Sequence, residues 1–196
     1  MEHLLDQMND ALGAVVERVR PQLVQITNGR HGQGAGIVWR ADGLIVTNAH
    51  VIRHHTPQVR LADARTFPAC VLATDADRDL AVLSIAAHGL SAITPCAVWP
   101  VQPGAWVLAL GHPWGVIGAV TAGIIIDIGV PPEIPQFQET LIQTSLHLRP
   151  GYSGGPLVDV HGCLVGINTM MAGPDVGLAV PLPILTLFLR QTVGYE

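Results

Sequence analysis

From Leu23 onward the chain breaks into short apolar and β-branched runs, each closed by Gly, Pro or Asp. One set covers residues 23–27, 36–39, 44–47, 58–61, 67–73 and 80–85. A second covers 106–110, 116–127, 141–144, 156–159, 164–169 and 177–180. Turn residues recurring at intervals of about ten argue for antiparallel strands in a barrel or sandwich. The same spacing argues against a parallel α/β sheet, whose crossovers each need a dozen or more residues.

The flanks and the middle read differently. Leu4, Leu5, Met8, Leu12, Val15, Val16 and Val19 recur at spacings of three and four, one face of an amphipathic helix that stops before Pro21. That stripe covers the body of the protein or a neighbouring subunit. Residues 87–103 are rich in Ala, Pro and Gly and carry no Asp, Glu, Lys or Arg, the composition of a linker between two barrels. Pro183 opens a last apolar stretch, 184–190, where proline suits a first helical turn and a short closing helix is predicted. The expected organisation is a helix over 1–20, a first barrel over 21–90, a linker over 91–103 and a second barrel with its closing helix over 104–196.

Composition removes several classes of function. The ten basic residues are all arginine, so chemistry that needs a lysine amine is excluded, including the P-loop lysine, the Schiff base and the Ser/Lys dyad. A net charge of −5 with scattered arginines lacks the electrostatic footprint of a nucleic-acid binder. The apolar stretches 116–126 and 176–189 are shorter than the roughly 20 residues of a spanning helix, so no membrane span is expected. Cys70, Cys96 and Cys163 stand far apart, with neither a C-x-x-C pair nor a disulfide framework, and read as buried thiols. The N-terminus lacks a basic start and an unbroken apolar core, so the chain as given reads as cytoplasmic, or as periplasmic or lumenal if a leader was removed.

The chemistry centres on Gly151-Tyr152-Ser153-Gly154-Gly155-Pro156-Leu157. A serine between glycines suits a tight turn in which the amides of Gly151 and Ser153 point at one spot beside the hydroxyl. Such a turn alone is weak, since an ordinary hairpin looks the same. Its weight comes from His50, in Thr47-Asn48-Ala49-His50-Val51 directly after a predicted strand, and from Asp79 at the head of the run Leu80-Ala81-Val82-Leu83. The order His, Asp, Ser is that of the two-barrel serine proteases. Asp75 and Asp77 compete with Asp79 for the carboxylate role, but only Asp79 heads an apolar strand; the other two read as solvated turn residues. A zinc reading of His50 with His54 lacks a third ligand. Gly111-His112-Pro113-Trp114-Gly115 is not a phosphate loop, having no lysine and no helix after it, and reads as a turn with an aromatic plug.

These motifs together resemble the trypsin-like protease domain of the HtrA/Deg family. The similar segments are Gly32-Gln33-Gly34-Ala35-Gly36, Thr47 to Val51, Asp75 to Leu83, Gly111 to Gly115 with Val120-Thr121-Ala122-Gly123-Ile124, Gln143-Thr144, Gly151 to Leu157, Gly166-Ile167-Asn168-Thr169 and Gly177 to Pro181, covering roughly residues 12 to 190. The resemblance implies an all-β fold of two six-stranded antiparallel barrels, with a helix at the N-terminus and a short one at the C-terminus. It implies His50 as general base, Asp79 as its orienter, Ser153 as nucleophile, and the amides of Gly151 and Ser153 as oxyanion hole. The substrate pocket it implies is built from His147 and Leu148 before the serine and Thr169, Met170 and Met171 after it. Leu148 and Met171 make that pocket apolar, and Thr169 to Met171 would pair with an extended polypeptide as an edge strand. No acid lies just before Ser153, so cleavage after aliphatic residues is expected rather than after Arg or Lys. Neither a metal nor an organic cofactor is implied. The N-terminal helix is a candidate trimer contact.

Departures from the family pattern touch the loops. Tyr152 replaces the usual Asn before the serine, Ser145-Leu146 stands for Asp-Ala, and Arg149 stands for an Asn. They bear on whether the oxyanion turn is formed at rest. The long regulatory loop of the first barrel is absent, because Gly29-Arg30-His31 links two strands directly, and no PDZ domain is expected after Glu196. Two other readings of the same residues remain: a protease fold that binds peptides without cutting them, and an esterase or other acyl transferase.

Overall fold

A computed structural model describes residues 2–27, 33–53, 56–97, 99, 101–131 and 139–194. The first set of runs forms β1 (Leu23–Thr27), β2 (Gln33–Arg40), β3 (Leu44–Thr47), β4 (Gln58–Arg60), β5 (Thr66–Asp75) and β6 (Leu80–Ile85). They close into a barrel in the order β1-β2-β3-β6-β5-β4, every pairing antiparallel. The second set forms β7 (Trp106–Gly111), β8 (Ala119–Gly129), β9 (Leu141–Thr144), β10 (Pro156–Asp159), β11 (Leu164–Ala172) and β12 (Val176–Pro181). These close in the order β10-β11-β12-β9-β8-β7, again antiparallel throughout. The all-β, two-barrel expectation is met.

Successive side chains of a strand point to opposite faces, and in β1, β3, β6, β7 and β12 both faces are buried. Val24, Ile26, Val38, Ile45, Val59 and Leu83 fill the first barrel. Val107, Ala109, Ile125, Ile142, Leu157 and Val165 fill the second. Their strand neighbours Leu23, Ile37, Val46, Val82, Leu108, Val158 and Ile167 meet in a third cluster between the barrels. Burial on two sides explains why runs such as Leu80 to Leu83 show no polar alternation.

Helix α1 (Glu2–Val19) divides its stripe: Val15, Val16 and Val19 are buried in the inter-barrel cluster, whereas Leu4, Leu5 and Met8 face outward. Helix α2 (Leu182–Val193) seats Leu185, Phe188 and Leu189 in the same cluster and packs on β5 and β6 of one barrel and β11 and β12 of the other. It runs past the predicted 184–190 because Gly194, in the left-handed region at φ 64°, ends it with an N–H bonded to the Leu189 carbonyl.

Two expectations, on the start of β8 and on the burial of the cysteines, are corrected. Strand β8 starts at Ala119 and not at residue 116, because 113–118 is spent on turns. The segment between β6 and β7 is bonded to the second barrel: Pro95 bridges Leu164, the Cys96 N–H donates to the Leu164 carbonyl at 2.9 Å, and the Leu164 N–H to the Thr94 carbonyl at 2.8 Å. Cys70 is exposed and Cys96 and Cys163 are half-buried, since Cys70 lies on the open face of β5. The readings placed on Gly29-Arg30-His31, Gly32 and His54 lie outside the described residues. Among the described residues no helix is long and apolar enough to cross a membrane.

Candidate active site

Strands β3 and β6 pair with Thr47 opposite Ala81, so the segment after β3 and the residue before β6 emerge side by side. That register brings His50, in a single 3-10 turn over Ala49–Val51, to Asp79. The Asp79 carboxylate is buried at 6% exposure. Its Oδ1 accepts the His50 backbone N–H at 3.0 Å, and the imidazole Nδ1 lies 2.8 Å from Oδ2 and 3.0 Å from Oδ1. With the Nδ1 proton held on the carboxylate, a neutral His50 presents Nε2 as an acceptor. Asp79 takes a left-handed backbone, φ 53°, uncommon for a residue with a Cβ. Asn48 steadies it, donating from Nδ2 to the Asp79 carbonyl at 2.9 Å.

The rival carboxylates have other tasks. Asp77 is exposed, but Asp75 is not simply solvated, which corrects the sequence reading. Its Oδ1 accepts the Arg78 N–H at 3.0 Å and its Oδ2 the Arg78 Nη1 at 3.1 Å. Arg78 also reaches Glu139 Oε1 from Nε at 3.0 Å and Gln191 Oε1 from Nη1 at 3.3 Å, the Glu139 bond being the main reason its pKa lies above the ordinary value. The turn that presents Asp79 is thereby tied to the approach to β9 and to α2.

Ser153 sits in a turn pressed against the first barrel. Its carbonyl accepts the Ala35 N–H at 2.8 Å, and Gly154 donates to the Asn168 carbonyl at 2.9 Å. Gly154 has φ 82°, and a Cβ there would lie 2.2 Å from both the Ala35 carbonyl and Thr47 Oγ1, so no other residue fits without a shift. Gly151, at φ 109°, is fixed by its carbonyl, which accepts the His112 N–H at 2.8 Å. The amides of Gly151 and Ser153 have no acceptor among the described residues, an uncommon state for backbone donors at a buried turn. Tyr152 packs its ring into the core of the second barrel at 6% exposure, and burial pushes its phenol pKa up.

One residue joins the two halves. Thr169 donates its hydroxyl to Asp79 Oδ2 at 2.5 Å and accepts the Ser153 hydroxyl on its carbonyl at 2.8 Å. No hydrogen bond links Ser153 to His50 among the described residues.

The residues read as a substrate pocket divide. Leu148 and Met171 meet beside the serine turn, with Met171 Sδ 3.1 Å from the Leu148 N–H, and both pack on the core of the second barrel. Met170 packs toward the inter-barrel cluster. His147 is exposed, its Nδ1 4.0 Å from Asp175 Oδ1. Sequence reasoning treated Thr169 as substrate-pairing backbone only and missed its hydroxyl; it also missed Asn48, and His112 beneath Gly151. A short amide two residues before His50 was the available signal for Asn48. The aromatic plug is overturned: Trp114 takes φ 52°, swings out to 75% exposure and lies under the Arg149 guanidinium, 5.2 Å from the ring centroid, while His112 is the buried ring. Burial holds the His112 pKa below its ordinary value. Among the described residues no group of three or more His, Cys, Asp or Glu could hold a metal ion.

Residues 34–167 match the family model described as a trypsin-like peptidase domain. The chain is 35% identical over 164 residues to the mitochondrial serine protease HTRA2 of Drosophila erecta, an alignment covering 81% of this chain and 39% of that protein. It is 35% identical over 159 residues to the putative serine protease HhoB of Synechocystis, covering 79% of this chain and 38% of that protein. The solved HtrA-type protease AlgW with tripeptide superposes with a TM-score of 0.83 at 32% identity, covering 93% of this chain and 64% of that one. This chain therefore spans about two-fifths of the length of these curated relatives. Fold, motifs and relatives agree: the chain belongs to the trypsin-like peptidase family, as a protease domain of the HtrA type.

Proposed function

We propose that this chain is a serine endopeptidase that cleaves extended or unfolded polypeptides after aliphatic residues through an acyl-enzyme, in protein quality control. The observation that carries the reading is the double role of Thr169, whose hydroxyl meets the Asp79 carboxylate and whose carbonyl meets the Ser153 hydroxyl.

In this mechanism a χ1 rotation takes the Ser153 hydroxyl from Thr169 toward His50. Nε2 of His50 takes the hydroxyl proton as Oγ attacks the scissile carbonyl carbon, and Asp79 stabilises the imidazolium without itself being protonated. The oxyanion that forms is met by the two amides of Gly151 and Ser153, which have no acceptor among the described residues. The imidazolium then gives its proton to the leaving amine. Water, deprotonated by the same Nε2, releases the acyl group and returns the hydroxyl to Ser153. Thr169 to Met171 would align the substrate as an added strand, and Leu148 with Met171 would face its aliphatic side chain. The outward-facing Leu4, Leu5 and Met8 of α1 suit a homo-oligomer, with a trimer as the family-like form.

A second reading has its own support: with the Ser153 hydroxyl on Thr169, the chain is a latent or peptide-binding module. Fluorophosphonate labelling of wild type and Ser153→Ala, with β-casein digestion read by mass spectrometry, separates the two. Labelling lost in the variant, turnover lower by about 10⁶-fold and cuts after aliphatic residues support the endopeptidase. A folded wild type that neither labels nor digests casein supports the module. Turnover of small esters without casein cleavage would point to an acyl transferase.

A further inference from the structure

Away from the serine turn, a cavity of about 250 Å³ opens between the first barrel and the 113–118 turns. Its polar wall holds the cations Arg20 and Arg60 with the neutral Gln25 and His112, and no carboxylate among the described residues lines it; its apolar wall is Leu23, Leu61 and Ile117. Arg60 is half-buried on β4 and has no ion pair among the described residues. Arg20 lies at the rim, paired outside the cavity to Glu17 and passing within 3.4 Å of where a Gly118 side chain would start.

At the inner end, His112 is 3% exposed, and its Nδ1 accepts the Gly118 N–H at 3.3 Å. That bond places the proton of the neutral ring on Nε2, which is buried toward the Val24 backbone with no partner at ordinary hydrogen-bond distance among the described residues. The main chain of the same residue pins the oxyanion turn through the 2.8 Å bond from its N–H to the Gly151 carbonyl.

We propose that this cavity binds a small carboxylate with an aliphatic body, its charge on Arg60 and Arg20 and its body on Leu23, Leu61 and Ile117, and that occupancy is felt at Gly151 through His112. A guanidinium with no acid partner among the described residues, set in a partly desolvated wall, favours an anion. Half the wall is aliphatic, so a bare phosphate would leave it uncovered. The volume lies below the roughly 300 Å³ at which pockets for drug-sized ligands begin, so the occupant is a single residue or short acid and not a length of strand. Two sources share this chemistry: a free short-chain acid, and the C-terminal residue of a cleaved peptide. The binding claim stands apart from catalysis; its effect on the serine rests on the endopeptidase reading.

The test is an amide-resolved NMR titration of the full chain with hexanoate, N-acetyl-leucine, uncharged N-acetyl-leucinamide and inorganic phosphate. Saturable shifts of the Gly118 and Gly151 amides are expected with the two carboxylates, with the leucinamide and phosphate at least about tenfold weaker. The tighter of the two carboxylates identifies the source. Arg60→Gln should weaken binding about tenfold or more at an unchanged Tm, and Ile117→Ser, on an exposed turn, gives a second variant that removes the aliphatic contact. Absence of saturation by either carboxylate, equal binding by phosphate, unchanged binding in Arg60→Gln, or shifts at Gly118 that never reach Gly151 would each overturn the proposal. Fluorophosphonate labelling at saturating carboxylate is expected to change at least twofold in rate. A wild type that is never labelled counts against the endopeptidase and leaves the NMR result to decide on the site.

Discussion

Thr169 is where a single side chain matters most. Valine keeps its shape and its backbone carbonyl while removing the donor to Asp79 Oδ2, leaving a buried carboxylate short of one hydrogen bond. Thr169→Val is expected to lower kcat by about ten- to a hundredfold with little change in KM, checked by steady-state peptide hydrolysis. His112 makes a prediction about pH. Its pKa is held below the ordinary 6.5 mainly by burial, so the unfolded chain takes up a proton at a higher pH than the folded one. The stability tied to the neutral ring is therefore present above 6.5 and is lost as pH falls through the folded value. Asparagine can offer its Oδ1 to the Gly118 N–H without titrating, so His112→Asn should flatten the fall of Tm between about pH 7 and pH 5; thermal melts of both proteins across that range check it. At this scale the sequence was informative where residue type and order point to a site, as for His50, Asp79 and Ser153, which the fold gathers around Thr169. It was silent where a side chain works through a contact distant in the chain, as Thr169 does with Asp79. It misled at His112 and Trp114, because which of two adjacent rings is buried depends on a left-handed φ at Trp114 that no local pattern announces.

The strands were legible because a closed barrel leaves few alternatives to short antiparallel hairpins, and the turn residues mark each reversal. Their ends were less so. Strand β11 runs on to Ala172 and β5 to Asp75, lengths set by the partners they find, β12 and β6. The turn over residues 151–155 is an element in its own right, built by contacts on both sides. Gly154→Ala forces a Cβ into the Ala35 carbonyl and Thr47 Oγ1 from a left-handed backbone. The expected result is a loss of about 3 kcal/mol or more, a fall in Tm of roughly 6 °C or more by calorimetry, together with loss of fluorophosphonate labelling.

In the whole molecule, two barrels share one core, and α2 lies across both. Arg78 adds a polar tie between the Asp79 turn, Glu139 and Gln191. These groups are partly exposed, so Arg78→Met is expected to remove only about 1 kcal/mol, a Tm lower by about 2–4 °C, measured by calorimetry. The outer half of α1 is expected to govern assembly: Leu5→Glu should shift the sedimentation coefficient toward that of a monomer while leaving Tm nearly unchanged, since Leu5 touches no core cluster. Two barrels and two flanking helices were visible in the hydrophobic pattern, but the shared core was not, because a strand buried on both faces gives the same letters whichever neighbour covers it. The division of the site between barrels also has a consequence in time. His50 and Asp79 leave the ribosome first, while Ser153 and the Thr169 that bonds both partners follow later. On the endopeptidase proposed above, a half-made chain would hold an imidazole and a carboxylate with nothing to activate, and would be harmless to its neighbours until its second barrel had closed.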